Sequence, residues 1–212
     1  MTQRELIRQE VLTSLAMKLQ AYGFKLNKSE THFTQKNQLG WFRLWLLFYV
    51  ADEGWDVNLV MLIRCNIVEE IYHQISGFQS EKDKKNSFTI SKPVKYYGTN
   101  KTPTPFIIVE ESQIQEFTNL LFKSFVDEAI PFFEKYNSLQ KIDFELNTNP
   151  QGSSTSLIHD ISKGTISLII AKLVNHSNYG ELVSIYWQHY KSYSGGYYLP
   201  VYKKLVKLLE SL

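Results

Sequence analysis

Residues 41–65, WFRLWLLFYVADEGWDVNLVMLIRC, restrict the possible folds of this chain more than any other segment. The first ten of these residues are apolar except for Arg43. A membrane-spanning helix needs about 20 mainly apolar residues, but Arg43 interrupts this run and Asp52-Glu53-Gly54 ends it. Aromatic and β-branched residues favour strands, and Glu53-Gly54 can form a two-residue turn. The segment therefore predicts two antiparallel strands joined by a tight turn.

Side chains alternate between the two faces of a strand, so the turn position assigns each residue of this hairpin to a face. With Glu53-Gly54 as the loop, Val50 pairs with Val57. One face is then wholly apolar and is expected to face the core; it carries Phe42, Leu44, Leu46, Phe48, Val50, Val57, Leu59, Met61, Ile63 and Cys65. The other face mixes rings and charges, and its candidate binding residues are Trp41, Arg43, Trp45, Tyr49 and Arg64.

This outer face of the hairpin allows two interpretations. The predicted register places Arg43 opposite Arg64, and like charges in that position are tolerated when rings stack on them or an anionic group bridges them. Either the C-terminal helices of the chain cover the face, or it stays open for a partner. Solvent exposure of Trp41 and Trp45 would distinguish the two.

The remaining elements follow from apolar spacing and from capping and turn residues. Thr2 and Gly23 are expected to begin and end the first helix. A hairpin turning at 28–31 is expected within 24–37, and the charged run 81–86 reads as a solvated loop. Ser112 is the expected N-cap of a long helix that contains Pro131. Pro131 should kink or break that helix. Helices are predicted over 3–22, 66–77, 112–136, 138–146, 166–173, 179–193 and 199–212, and a further strand over 87–97. Residues 106–110 are either a short strand or a lead-in to the next helix.

These elements predict an α+β fold in which a mainly antiparallel sheet packs against helices and an all-helical subdomain follows. The segment NTNPQGSSTS, residues 147–156, is rich in turn-forming residues and is the expected linker. The predicted organisation is an α+β domain over residues 1–146, the linker, and a helical C-terminal subdomain over residues 157–212.

No catalytic, metal-binding or cofactor-binding site is predicted. Glu70 and His73 share a helix face, but di-iron bundles need such a pair on two helices, and an exposed histidine at a helix end is expected instead. Cys65 falls on the apolar face, where a buried thiol is expected. His159 and Asp160 lie close to Ser156, but catalytic triads are assembled by geometry rather than by sequence adjacency.

Composition limits the cellular setting. A net charge of +2 gives no argument for nucleic-acid binding, which needs clustered basic residues. The single cysteine fits a reducing compartment. The polar start, MTQRELIRQE, has no secretion signal. We therefore expect a cytoplasmic protein that neither binds nucleic acid nor enters a membrane, with its oligomeric state left open.

The order of elements resembles a group of small bacterial proteins of unknown function. The resemblance lies in the N-terminal helix, in YGFK and HFTQK before a Trp/Phe-rich strand pair, and in the tail AKLVNHSNYGELVSIYWQHY. Some proteins of this type are suspected immunity proteins that neutralise bacterial toxins. The resemblance implies a non-enzymatic interaction protein whose partner is another protein. The alternative is a small-molecule or nucleotide-binding domain with its cleft between the sheet and the C-terminal helices.

Overall fold

The structure is a computed structural model that describes residues 2–78, 80–94, 106–152 and 157–212. The helices are α1 (Gln3–Leu19), α2 (Asn66–His73), α3 (Glu81–Asn86), α4 (Ile114–Ser124), α5 (Ile130–Lys135), α6 (Leu139–Asn147), α7 (Asp160–Leu173), α8 (Tyr179–Ser192) and α9 (Leu199–Glu210). The strands are β1 (Lys25–Asn27), β2 (His32–Lys36), β3 (Gly40–Val50), β4 (Trp55–Cys65), β5 (Ile90–Pro93) and β6 (Phe106–Ile108). The predicted α+β class is confirmed.

The six strands form one sheet in the order β1-β2-β3-β4-β5, and β6 also pairs with β4. The pairings of β1 with β2, β2 with β3 and β4 with β6 are antiparallel. Phe33 lies opposite Leu26 on one side and opposite Leu44 on the other. The predicted hairpin within 24–37 is thereby confirmed, and it leads directly into the long central pair β3–β4.

The turn between β3 and β4 is centred on Asp52 and Glu53, so the predicted Glu53-Gly54 loop was wrong. The Ala51 N–H donates to the Gly54 carbonyl oxygen at 3.1 Å, which places these two residues opposite each other. The pairing is thus shifted by two residues from the predicted one. Because a shift of two leaves the side-chain alternation unchanged, the predicted division into two faces holds, but the cross-strand partners differ. Val50, which was predicted to face the core, is 69% exposed at the end of β3.

The first helix begins and ends where the sequence predicts. The Thr2 side chain accepts a hydrogen bond from the backbone N–H of Glu5, as an N-cap residue does. Gly23 follows the short 3-10 turn after α1 with φ +78°, a left-handed conformation that glycine adopts without a steric penalty.

The predicted helix 112–136 is continuous but changes its winding. Its cap is a capping box between Glu110 and Gln113, not Ser112. Before Pro131 the chain forms a π-helical turn over Phe125–Ala129, in which the Ile130 N–H donates to the Phe125 carbonyl five residues back. Proline supplies no amide hydrogen and crowds the preceding turn, and the wider turn accommodates it without a break.

Two short segments also differ from expectation. Residues 81–86 form the helix α3 instead of a loop, because the Ser80 hydroxyl caps it by accepting from the Asp83 N–H. The helix that starts at Asn66 ends at His73, earlier than the predicted residue 77. The predicted strand 87–97 is found over Ile90–Pro93, and residues 95–97 lie outside the described part of the chain.

The chain divides into two compact units, each built from two segments. Unit 1 consists of Met1–Ile63 and Lys92–Glu134, and unit 2 of Arg64–Ser91 and Lys135–Leu212. The predicted linker 147–156 falls within the second segment of unit 2, and its residues 153–156 lie outside the described part.

The core of unit 1 consists of apolar side chains from its helices and its sheet, and aromatic rings pack against one another within it. The buried stripe of α1 is Ile7, Val11, Leu12, Leu15 and Leu19. Phe24 contacts Phe125 edge-on with ring centroids 5.3 Å apart, and Phe42 of β3 stacks on Phe133 of α5 at 4.8 Å. Such ring pairs add about 0.5–1.5 kcal/mol each beyond their buried area.

Unit 2 has a core built around three buried tyrosines whose hydroxyls all find backbone or amide partners. Tyr190 donates to the Ile161 carbonyl at 2.6 Å, Tyr186 to the Asn147 side chain at 2.7 Å, and Tyr202 to the Val183 carbonyl at 2.7 Å. Burial raises the pKa of Tyr186 and of Tyr190 to about 12. Among the described helices, none is both long and apolar enough to cross a membrane.

Candidate functional site

The five predicted binding residues have very different exposure. Trp41, Arg43 and Arg64 are 9%, 6% and 8% exposed, Trp45 is half-buried, and Tyr49 is 52% exposed. The Arg43 guanidinium lies 4.1 Å from the centroid of the Trp41 ring and donates to the Thr34 hydroxyl at 3.2 Å. Arg43 therefore stacks on an aromatic ring. The predicted pairing of Arg43 with Arg64 was wrong, because the Ala51–Gly54 pairing continued along the strands places Arg43 opposite Leu62.

The outer face is open near the turn between β3 and β4. There Tyr49 of β3 lies opposite Asp56 of β4 when the Ala51–Gly54 pairing is continued along the strands, and Asp56 lies opposite Ile107 of β6. Tyr49 and Ile107 are each 52% exposed. We call the row Tyr49–Asp56–Ile107 the hairpin face. All three residues belong to unit 1.

Asp56 gives the hairpin face an unusual polar centre. Its Oδ1 atom is shielded from solvent, and no hydrogen bond from a described residue reaches it. An unsatisfied buried acceptor costs about 1–3 kcal/mol. Rotation of the carboxylate toward solvent would let a donor of a binding partner remove that cost, while Tyr49 and Ile107 would bury apolar surface around it.

Unit 2 contains a buried polar network that the sequence did not reveal. Its centre is Glu69 of α2, which is 1% exposed. Glu69 Oε2 accepts a 2.6 Å hydrogen bond from the Ser87 hydroxyl, and Oε1 accepts one of 2.9 Å from the Thr89 hydroxyl. Thr89 also accepts from the backbone N–H of Cys65. Each carboxylate oxygen thus has a partner, as a buried charge requires.

Arg64 and His73 complete the network around Ser87. Arg64 Nη1 donates to the hydroxyl and to the carbonyl oxygen of Ser87 at 2.7 and 2.8 Å and lies 4.0 Å from Glu69 Oε2. The Nε2 atom of His73 lies 2.9 Å from the Ser87 hydroxyl. The Ser87 hydroxyl donates its single hydrogen to a hydrogen bond with the carboxylate. Its oxygen therefore accepts hydrogen bonds from Arg64 Nη1 and from the Nε2–H of His73. The expectation of an exposed histidine was wrong, because the His73 side chain is only 11% exposed.

The residue types Ser, His and Glu suggest a nucleophile, but the geometry does not. In a Ser–His–acid triad the imidazole takes the serine proton and the acid holds the other ring nitrogen. Here the Ser87 hydroxyl donates its hydrogen bond to Glu69 Oε2 instead of to the imidazole, and Glu69 Oε2 lies 3.7 Å from the same His73 nitrogen that faces Ser87. Ser87 is also buried. The arrangement fixes the segment before β5 onto α2 and α3, which is a structural role.

The sequence analysis missed this network because it considered the wrong one of two adjacent glutamates in α2. The glutamate considered with His73 was Glu70, which is exposed, whereas Glu69 points inward. Glu69 and His73 are four residues apart, the other spacing that brings two side chains together on a helix. Ser87 and Thr89 gave no signal, because their partners lie 18 and 20 positions away.

The predicted burial of Cys65 is confirmed. Cys65 is fully buried, and burial raises the pKa of its thiol to about 12. His159 precedes α7, and Ser156 lies outside the described residues. Within the described ranges, no cluster of three or more His, Cys, Asp or Glu could hold a metal ion.

Two of the cavities among the described residues of unit 2 could hold a ligand. The smaller, about 200 Å³, lies beside the polar network, between Glu69, Tyr72, Phe88 and Ser162. The larger, about 700 Å³, is called here the helix cavity. It is bounded by Lys163 of α7, by the turn 150–152 and by one face of α8. The α8 residues that line it recur at helical spacing; they are Glu181, Ser184, Ile185, Gln188, His189 and Ser192.

Comparison with known proteins gives no family for the chain. No protein-family model matches it, and neither a curated protein nor a solved structure is significantly similar to it.

Proposed function

We propose that this protein is a non-enzymatic binding protein that contacts a partner protein through the hairpin face. The observation that carries this proposal is the row Tyr49–Asp56–Ile107, in which a carboxylate oxygen that no described residue reaches with a hydrogen bond lies between two exposed apolar side chains. Aromatic residues surrounded by other apolar surface contribute much of the binding energy at protein interfaces.

The chemistry of the hairpin face defines its partner. Asp56 needs a hydrogen-bond donor, and a lysine or arginine side chain provides one together with a positive charge. The residues around that donor would be apolar in order to cover Tyr49 and Ile107. The resemblance to suspected immunity proteins makes a bacterial toxin the first partner to test, with inhibition by binding as the mode of action.

The experiment compares partner recovery between matched variants. The tagged wild-type chain, the double variant Tyr49→Ser/Ile107→Ser and the control Phe144→Ser are used as baits in native cells. Phe144 is 71% exposed in unit 2, so its change removes a similar apolar area elsewhere. We expect one partner to be recovered with the wild type and the control but lost with the double variant, all three having melting temperatures within a few degrees.

The Asp56→Asn variant tests the donor separately. It keeps the size of the side chain and removes its charge, so a partner that supplies a cation should bind about tenfold more weakly, corresponding to ~1.4 kcal/mol. Equal recovery of the partner by the wild type and by the double variant would contradict the proposal.

A further inference from the structure

The helix cavity of unit 2 has the size of a small-molecule site. Its volume of about 700 Å³ falls within the ~300–1,000 Å³ typical of such sites. One wall is the face of α8 from Glu181 to Ser192, which spans about 16 Å at the 1.5 Å rise per residue of an α-helix. The cavity therefore admits a ligand of one or two rings, and none of its lining residues belongs to the hairpin face.

Lys163 makes the cavity favour a negatively charged ligand. It lines the cavity although it is only 4% exposed. Its ammonium donates to the Gly152 carbonyl oxygen at 2.7 Å, which fixes it between α7 and the 150–152 turn. An ammonium group has three donors and is a compact positive charge. In a partly desolvated site it forms short, charge-assisted hydrogen bonds to oxyanions.

The lining of the cavity also offers flat ring surface. The His189 and Tyr193 rings both line it and stack on each other, with centroids 5.3 Å apart and planes 23° apart. Ile185, one helical turn before His189, adds apolar surface on the same face of α8. A planar ring laid against this wall gains stacking and apolar contact.

Glu181 limits how much negative charge a ligand in the cavity can carry. Its carboxylate lines the same cavity at the start of α8. Like charges repel, so this carboxylate disfavours a doubly charged phosphate more than a singly charged carboxylate. From these three features we propose that the helix cavity binds a small organic carboxylate that carries one planar ring.

Four probes separate charge from ring shape on the wild-type protein. Benzoate has both features, benzamide lacks the charge, cyclohexanecarboxylate lacks the planar ring, and inorganic phosphate has a larger charge without a ring. Amide chemical shifts in a two-dimensional NMR titration report affinity and location together. We expect benzoate to bind at least about tenfold more tightly than each of the others, with shifts at Gly152, Gln188 and His189. Equal affinities for benzoate and benzamide would overturn the proposal.

Variants then assign the charge to Lys163. In Lys163→Met the chain keeps a long apolar side chain without the ammonium, and benzoate should bind only as weakly as benzamide. The matched control is Lys204→Met, an exposed lysine of α9 outside the cavity lining, which should bind benzoate like the wild type. Unchanged benzoate affinity in folded Lys163→Met overturns the assignment and leaves Lys163 only the role of holding the 150–152 turn.

A second variant keeps the test valid if Lys163→Met does not fold. Gln188 is exposed on the cavity face of α8, so Gln188→Glu adds a negative charge there and leaves Lys163 in place. We expect this variant to bind benzoate at least about fivefold more weakly and benzamide with unchanged affinity, because only the anion is repelled. Equal losses for both probes would overturn the role of charge.

Discussion

The Glu69 carboxylate and the Ser87 hydroxyl are joined by a 2.6 Å hydrogen bond, although 18 positions separate the two residues. This bond connects α2 to the segment before β5, and Arg64 and His73 depend on the same hydroxyl. The stability of unit 2 should therefore be sensitive to the loss of a single oxygen atom.

Replacing Ser87 by Ala tests this dependence. The change leaves Glu69 Oε2 and one donor of Arg64 without their hydroxyl partner in a buried site. A buried hydrogen bond to a charged group contributes about 1.5–3 kcal/mol, so we expect the free energy of unfolding to fall by about 2–3 kcal/mol in urea denaturation. The control Ser211→Ala removes an exposed hydroxyl and should change the free energy by less than ~0.5 kcal/mol.

His73 should make the stability of the protein depend on pH. Burial lowers its pKa below the usual 6.5, with Glu69 opposing the shift and Arg64 adding to it. A base whose pKa is lower in the folded state binds more protons when unfolded, so stability rises with pH. The contribution of His73 is complete above about pH 6.5 and decreases as the pH falls below that value.

The pH dependence can be assigned with two variants. Burial, followed by the charge of Arg43, also lowers the pKa of His32, so His73→Gln should remove part of the pH dependence and His32→Gln another part. The free energy of unfolding measured between pH 5 and pH 8 decides this, and an NMR titration of the His73 ring should give a pKa below 6.5. A pKa above 6.5 would show that Glu69 outweighs burial.

The Cys65 thiol should be unreactive in the folded protein. Its thiol is fully buried, and burial raises its pKa to about 12, whereas the thiolate is the reactive form. We expect no reaction with Ellman's reagent at pH 8 within minutes and one equivalent of reaction in denaturing urea. The variant Cys65→Ser provides the blank, and rapid labelling without denaturant would contradict the described burial.

Gly54 should be needed because β6 packs so closely on the β3–β4 turn that there is no room for a side chain at this position. A Cβ atom added there would clash with the Ile108 carbonyl oxygen, so Gly54→Ala must shift the backbone. Overpacking of this kind costs about 1–3 kcal/mol, which thermal or urea unfolding would measure. Gly77→Ala is the matched control, because an added Cβ meets no atom within 4 Å. Similar stability of the two variants would mean that β6 adjusts freely.

Period-2 alternation was sufficient to assign the side chains of β3 and β4 to their faces, because faces depend only on whether a position is odd or even. The exact partners were not predictable, since Asp52-Glu53 and Glu53-Gly54 are both acceptable turn pairs and differ by two residues in register. The closing hydrogen bond from Ala51 to Gly54 is a geometric outcome that composition does not determine.

The candidate sites were less predictable than the fold. The choice between Glu69 and Glu70 depends on a rotation of about 100° around α2, and its direction was set by partners at Ser87 and Thr89 that are distant in sequence. Tyr49 was predicted as a binding residue and is exposed, but Asp56 and Ile107 enter the same row only through the pairing of β6 with β4. The π-helical turn before Pro131 likewise has no sequence signature beyond the proline itself.

The interleaving of the two units has a consequence for biosynthesis. Unit 1 receives its last segment only when residue 134 has been made, although more than half of its residues are present after residue 63. During this interval the nascent chain carries the apolar strands β3 and β4 without the helix α4 that packs on α1. Domains generally fold as units as they leave the ribosome, so this protein exposes its most apolar segment to chaperones while 71 further residues are translated from 64 to 134.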